Sequence, residues 1–195
     1  MSTFNGWQII SLPTSPPAPK SIEWEYMDVV GSAQSPFSLQ RQIQVWGAAQ
    51  IRASISYPLM PTKQAAPWRA FLALANMGSV FSIGDPLNQS PQHVGATGGT
   101  VSGSGQTGFF LSTSSSNLTP GDWIQIGLRL YLVTSVAGGY LGIWPQIRES
   151  PASGSSLIIT NTTGLFRLMK NQRKIGVSVE NGRNWALDFE IEEAI

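Results

Sequence analysis

Apolar and polar positions alternate with a period of two along most of this chain, which predicts strands with two unlike faces. Between Trp123 and Val133, Ile124 and Ile126 alternate with Trp123 and Gln125. Leu130 and Leu132 then alternate with Tyr131 and Val133, and Gly127 stands where the chain must reverse. Pro120, Gly121 and Asp122 open this strand-turn-strand unit, and Trp144 to Arg148 close it. The unit predicts a small β-barrel.

Ile22 to Tyr26 alternates as a strand. Leu39, Arg41, Ile43 and Val45 share one face, and after Gly47, Ala48 and Ala49 come Ile51, Ala53, Ile55 and Tyr57. This reads as a hairpin from Leu39 to Leu59 that turns at Gly47. Its second face carries Gln40, Gln42, Gln44, Arg52, Ser54 and Ser56, a polar row suited to solvent or to a wet interface between subunits. Pro67 is read as the first residue of one short helix, because Trp68, Phe71, Leu72 and Ala75 follow helical spacing and Gly78 ends it. Val80 to Ile83 resumes a strand, and Gly84, Asp85 and Pro86 turn it.

Near the end, Ile175, Val177 and Val179 alternate, Asn181-Gly182 is a strong hairpin turn signal, and Trp185, Leu187, Phe189 and Ile191 alternate again. Leu157 to Thr160 predicts a further strand. The prolines from Pro13 to Pro19 cannot join a central strand, so residues 1–20 are read as an extended arm or a disordered leader. Trp7, Ile9 and Ile10 nevertheless look made for burial.

Charge divides the chain. Between Pro86 and Ile147 only Asp122 and Arg129 are charged, while Gly and Ser dominate the first half of that stretch. Residues 1–85 and 165–195 are accordingly assigned to one discontinuous β-rich domain, and residues 86–164 to an inserted small barrel. The expected fold is mainly β, a β-sandwich-like domain with one short helix plus the insert. With 42% hydrophobic residues the chain can bury a core, and its net charge of +1 offers no general field for nucleic acid or an anionic membrane. Only 12% of residues are charged, which favours a surface partly covered by neighbouring subunits over one kept soluble by neutral polar groups. No apolar run is long enough for a membrane span, and Met1 to Trp7 lacks the pattern of a signal peptide.

Candidate chemistry is sparse. The chain has no cysteine and one histidine, His93, read as a loop residue because one imidazole cannot build a metal cage. The acids gather at Glu23, Glu25 and Asp28 and at Asp188, Glu190, Glu192 and Glu193, where Asp188, Glu190 and Glu192 fall on the polar side of a strand. A cell-wall hydrolase would need two carboxylates flanking a sugar, with Glu23 or Glu25 as the candidates. The Gly-rich run from Gly95 lacks the Lys and helix start of a phosphate loop. Arg167, Lys170, Arg173 and Lys174 form a basic cluster, read as a solvated turn. Trp123, Tyr131, Tyr140 and Trp144 are the candidate glycan contacts, with core packing expected for at least two of them. No catalytic residue, metal or cofactor is expected.

The order of several short motifs carries a resemblance: Trp68 to Leu72, Phe81 to Pro86, Gly105 to Gly108, Pro120 to Gly127, Leu130 to Val133, Ile143 to Pro145, and Phe166 to Leu168. Across residues 60–170 the chain resembles the distal tail proteins of long-tailed bacteriophages. The resemblance implies a ring-forming β-sandwich domain bearing a small barrel of the oligonucleotide/oligosaccharide-binding type. It also implies a homohexameric ring in the virion, at the tail tip or baseplate, made in the host cytoplasm. Its partners would be the tail tube protein, a hub protein and the tape-measure protein, with DNA only as passing cargo. A carbohydrate-binding module for host attachment is the alternative reading.

Overall fold

The computed structural model describes residues 2–16, 18–86, 89–92, 94–178 and 184–195. The chain folds mainly as β structure in two sheets, as the alternation predicts. In chain order the elements are β1 (Thr3–Phe4), β2 (Trp7–Ile10), β3 (Ser21–Gln34), β4 (Arg41–Pro61), α1 (Thr62–Asn76), β5 (Val80–Ile83), β6 (Thr100–Val101), β7 (Gly108–Ser114), β8 (Trp123–Ile126), β9 (Arg129–Ala137), β10 (Tyr140–Ile147), β11 (Gly164–Ser178) and β12 (Asn184–Glu193). The larger sheet has the order β1-β2-β5-β11-β12-β4-β3, and the smaller β6-β7-β10-β9-β8.

Every strand of the smaller sheet comes from within residues 86–164. The excursion leaves and rejoins the larger sheet at one place, because Gly164, which opens β11, pairs with Ile83, which ends β5. An insertion whose two ends already lie side by side requires no rearrangement of the host sheet. The smaller sheet curls into a half-barrel. Bridges from Thr100 to Ser156 and from Gln125 to Ile158 connect its two edge strands through one segment. Leu157 to Thr160 therefore contributes isolated bridges where a strand was expected, since its pairing is divided between two edges.

The expected hairpin from Leu39 to Leu59 does not form. β4 runs unbroken through Gly47, and its partner is β3, giving a hairpin of 14- and 21-residue strands whose turn lies between Gln34 and Arg41. Asp28 pairs with Ala49 and Val30 with Val45, so one residue of β3 faces three of β4. Such a bulge bends the strand without reversing it. Two extra residues preserve the alternation, which is why the sequence reads the two faces of β4 correctly while misreading its path. Gly47 adopts φ +69°, and a Cβ there would lie 2.8 Å from the Gln146 side chain of β10.

The helix begins at Thr62, five residues before the predicted start, with Pro67 inside it. The amide that Pro67 lacks would have met the carbonyl of Lys63, an exposed residue in the first turn. Burial of Ala65 in that turn favours helix ahead of the proline. The N-terminal arm is ordered where described. β2 lies parallel to β5, with Ile9 opposite Val80, and the Trp68 indole donates to the Ser15 carbonyl at 2.8 Å. The turn at Asn181-Gly182 and Val179 lie outside the described residues, while β11 and β12 pair on either side of them.

Two apolar clusters share the insert. Val101, Leu111, Ile124, Tyr131, Val133, Leu141 and Ile143 fill the half-barrel. Trp123 and Leu130, pointing from the opposite face of the same strands, join Ile51, Ile55, Trp68, Phe81, Phe166 and Ile191 in the core of the larger sheet and helix. Strand β8 and the first half of β9 are thus buried on both faces, and the insert is fused to its host by a common core.

Two consequences are measurable. A Cβ on Gly84 would lie 1.8 Å from the Thr162 carbonyl oxygen where the insert's two ends run together. Gly84→Ala is expected to cost about 2–3 kcal/mol by forcing the backbone apart, read as a drop in urea midpoint. Burial also pushes the Tyr57 phenol up from 10.0 to about 12. The folded chain then holds this proton more tightly than the unfolded chain, so the contribution is complete below pH 10 and is lost as pH rises toward 12. Chemical unfolding across that window should show stability falling with pH, with a shallower fall in Tyr57→Phe.

Candidate functional site

The hairpin β3–β4 extends past the body of the protein. On its inward face Ile22, Trp24, Ile51, Ala53 and Ile55 pack in or against the core. Beyond the bulge the same face continues as Val30 and Ile43, exposed at 50% and 61%. Trp46, in the bulge, places its indole nitrogen 3.1 Å from a Cβ built on Gly31 and is 67% exposed, while Val29 on the other face is 53% exposed. At the turn, Phe37 is 98% and Leu39 72% exposed. The turn itself is well made. The Ser35 amide donates to the Gln40 carbonyl and the Leu39 amide to the Ser35 carbonyl. The Phe37 and Ser38 amides both donate to the Ser35 hydroxyl. Among the described side chains, an ordered hairpin thus presents six large apolar ones to water beyond the body, an arrangement associated with interaction surfaces.

The candidate interface row lies on the outward face of the larger sheet and its overhang. Gln42 and Gln44 are exposed opposite Ala33 and Gly31, and Gln40 sits in the turn. Ser56, Ser54 and Arg52 continue the row over the body, opposite Ser21, Glu23 and Glu25. The register across four strands reads Glu25, Arg52, Glu192, Arg167. Arg167 donates to Glu192 at 2.9 Å, and Arg52 lies 4.0 Å from it. The next row reads Glu23, Ser54, Glu190. These residues line an open, shallow hollow of about 360 Å³ together with Ser56 and Asp188. Of the basic cluster only Arg167 has a described side chain, and His93 lies outside the described residues. Among the described residues no group of three or more His, Cys, Asp or Glu is placed to hold a metal.

Glu193 behaves differently from its acidic neighbours. It continues the inward phase of Leu187, Phe189 and Ile191, and only 3% of it is exposed. Arg148 from the end of β10 meets it with two nitrogens, Nη2 to Oε2 at 2.9 Å and Nε to Oε1 at 3.4 Å. Arg148 Nη2 also donates to the Ala49 carbonyl at the bulge of β4, and its backbone amide donates to the Tyr131 hydroxyl. Arg129 approaches Glu193 to 4.0 Å, donates to the Ala194 carbonyl and covers the Phe4 ring at 4.8 Å. The sequence signal was available in the alternation, since Glu193 falls on the apolar side of its strand.

An aromatic seam runs beside this ion cluster. Trp24 lies 5.9 Å from both Trp123 and Phe166, Tyr26 meets Trp144 edge-on at 5.0 Å, and the Trp144 indole donates to Asp28 at 2.8 Å. The proposed glycan quartet is therefore dispersed. Trp123 and Tyr131 are buried at 5% and 2% exposure, because β8 and the first half of β9 are covered on both sides, and no sugar ring can reach them. Trp144 is half-buried in the seam, and only Tyr140 is exposed.

The Pro120-Gly121-Asp122 turn holds a buried carboxylate. Asp122 accepts from the Thr119 amide and hydroxyl at 2.8 and 3.0 Å and from the Gln92 amide at 2.9 Å. These bonds satisfy the carboxylate while fixing the turn, a structural task.

No protein-family model matches the chain, and comparison with curated proteins finds no match.

Arg148→Ala would leave Glu193 buried with its best partner gone, and an expected loss of about 3–5 kcal/mol should appear in equilibrium unfolding. Combining Arg148→Ala with Glu193→Gln removes the stranded charge and should recover part of that loss, giving a non-additive double-mutant cycle.

Proposed function

We propose that this chain is a structural, non-enzymatic component of a bacteriophage tail tip that assembles into a ring joining the tail tube to the hub and host-recognition apparatus. The observation that carries this reading is the overhanging β3–β4 hairpin. An ordered arm bearing Val29, Val30, Phe37, Leu39, Ile43 and Trp46 at its surface gains stability when a partner covers it. A neighbouring copy is the partner favoured by a chain with only 12% charged residues, and the Gln42 and Gln44 row supplies hydrogen-bonding groups beside the apolar ones. Repetition of one arm-to-body contact by rotation closes a ring, and six copies is the number that the resemblance to distal tail proteins implies. The tape-measure protein and then DNA would pass through its lumen.

Light scattering behind size-exclusion chromatography tests the assembly. The unaltered chain should elute as a closed oligomer, and Phe37→Ser combined with Leu39→Ser and Trp46→Ser should elute as a folded monomer with an unchanged far-UV circular dichroism spectrum and a lower melting temperature. Imaging of the virion tests the location. A chain found in the capsid, or present singly in the tail, would overturn the reading.

A further inference from the structure

The outer face of the half-barrel packs on the larger sheet through Trp123, Leu130 and Trp144, and beyond them it is covered by neither core. Phe110 on β7 pairs with Gly142 on β10, and Ser112 pairs with Tyr140, so Phe110 and Tyr140 stand on one side of the sheet as diagonal neighbours. Phe110 is 65% and Tyr140 56% exposed. Gly142 also pairs with Ser135 of β9, where a bulge places one extra residue, Thr134, between Val133 and Ser135. The effect is local and specific. A Cβ built on Gly142 would lie 2.2 Å from the Ser135 hydroxyl and 2.9 Å from that of Thr134, so both hydroxyls occupy the space that the glycine leaves. Two open aromatic rings and two hydroxyls, re-aimed by the bulge, therefore converge on one glycine across three strands.

The chemistry of this face selects its ligand. Strands β7 and β10 contain no Asp, Glu, Lys or Arg, and β9 contains none after Arg129 at its start. Ser112 and the Tyr140 phenol add further hydroxyls, so the face offers apolar planes and neutral hydrogen-bonding groups. We propose that this surface binds a neutral saccharide, whose C–H face would lie on Phe110 and Tyr140 while its hydroxyls exchange hydrogen bonds with Thr134 and Ser135. An anionic polymer finds no cation on these strands, and a large apolar partner would strand the hydroxyl pair without hydrogen bonds. Tyr and Phe suit the task because they offer large rigid faces at low entropic cost. Phe110 replaces Trp123, Tyr131 and Trp144 as Tyr140's partner, and the site is independent of ring assembly.

The test uses the full chain and neutral oligosaccharides: maltohexaose, cellohexaose, chitohexaose and a dextran fragment. Hyaluronan oligomers serve as the anionic comparison, and saturation-transfer NMR and calorimetry give the readout. At least one neutral probe should bind with Kd in the range of about 10 µM to 1 mM. Phe110→Ala and Tyr140→Ala should each weaken binding about tenfold, and Thr134→Val with Ser135→Ala should weaken it with little change in melting temperature. The proposal fails if no neutral probe binds at about 10 mM, if hyaluronan binds better, or if the substitutions leave binding unchanged. It fails equally if Phe110→Ala and Tyr140→Ala dissociate an oligomer, since the face would then be a subunit contact.

Discussion

The buried contact between Glu193 and the arginines of the insert is the constraint around which the rest of the protein is arranged. It brings together the last residue of β12, the end of β10, the start of β9 and the bulge of β4, four points distant in sequence. A carboxylate this deeply buried is tolerated only with paired charge and aligned donors, and Arg148 supplies a two-point match that a lysine cannot. The bulge at Gly47 lets the Ala49 carbonyl accept from the same guanidinium, so the bend in the hairpin and the seating of the insert are one structural event. The direction of the overhanging arm is set at the same point.

Legibility of the fold in the sequence followed the period-two signal. Where one face of a strand is buried, the alternation fixes which residues point inward, and this held along β4 even though its path was misread. Path is harder, because Gly47-Ala48-Ala49 has the composition of a turn and becomes a bulge only when β3 pairs along its whole length. Charge falls away in the sequence between Pro86 and Ile147, the stretch from which every strand of the smaller sheet comes. What composition could not show is that the insert contributes its outer face to the host's core, since Trp123 and Leu130 look like ordinary members of a half-exposed strand until the second sheet covers them.

Of the candidate residues, the polar row from Gln40 to Ser56 could be placed because parity survives a two-residue bulge. The apolar overhang escaped notice for the opposite reason: Leu39 and Ile43 have the pattern of core residues, and only the length mismatch between the hairpin and the body leaves them without cover. Glu193 was grouped with Asp188, Glu190 and Glu192 by proximity in sequence, although its phase placed it with Ile191. The four aromatic residues were grouped by residue type, yet type does not distinguish a ring between two sheets from one facing water. Phe110 does not stand out in the sequence because two adjacent aromatic residues, Phe109 and Phe110, follow the first residue of its strand, and periodicity alone does not say which of them faces water.

Economy of charge connects these features. The insert has almost no ionic groups on its strands, and the two arginines at its base are both committed to Glu193 and nearby carbonyls. Its orientation on the larger sheet is consequently held by buried contacts that salt screens poorly, whereas the Glu25-Arg52-Glu192-Arg167 row on the opposite face is open to screening. A rigid junction of this kind fixes the angle between the overhanging arm of the larger sheet and the half-barrel face that carries Phe110 and Tyr140.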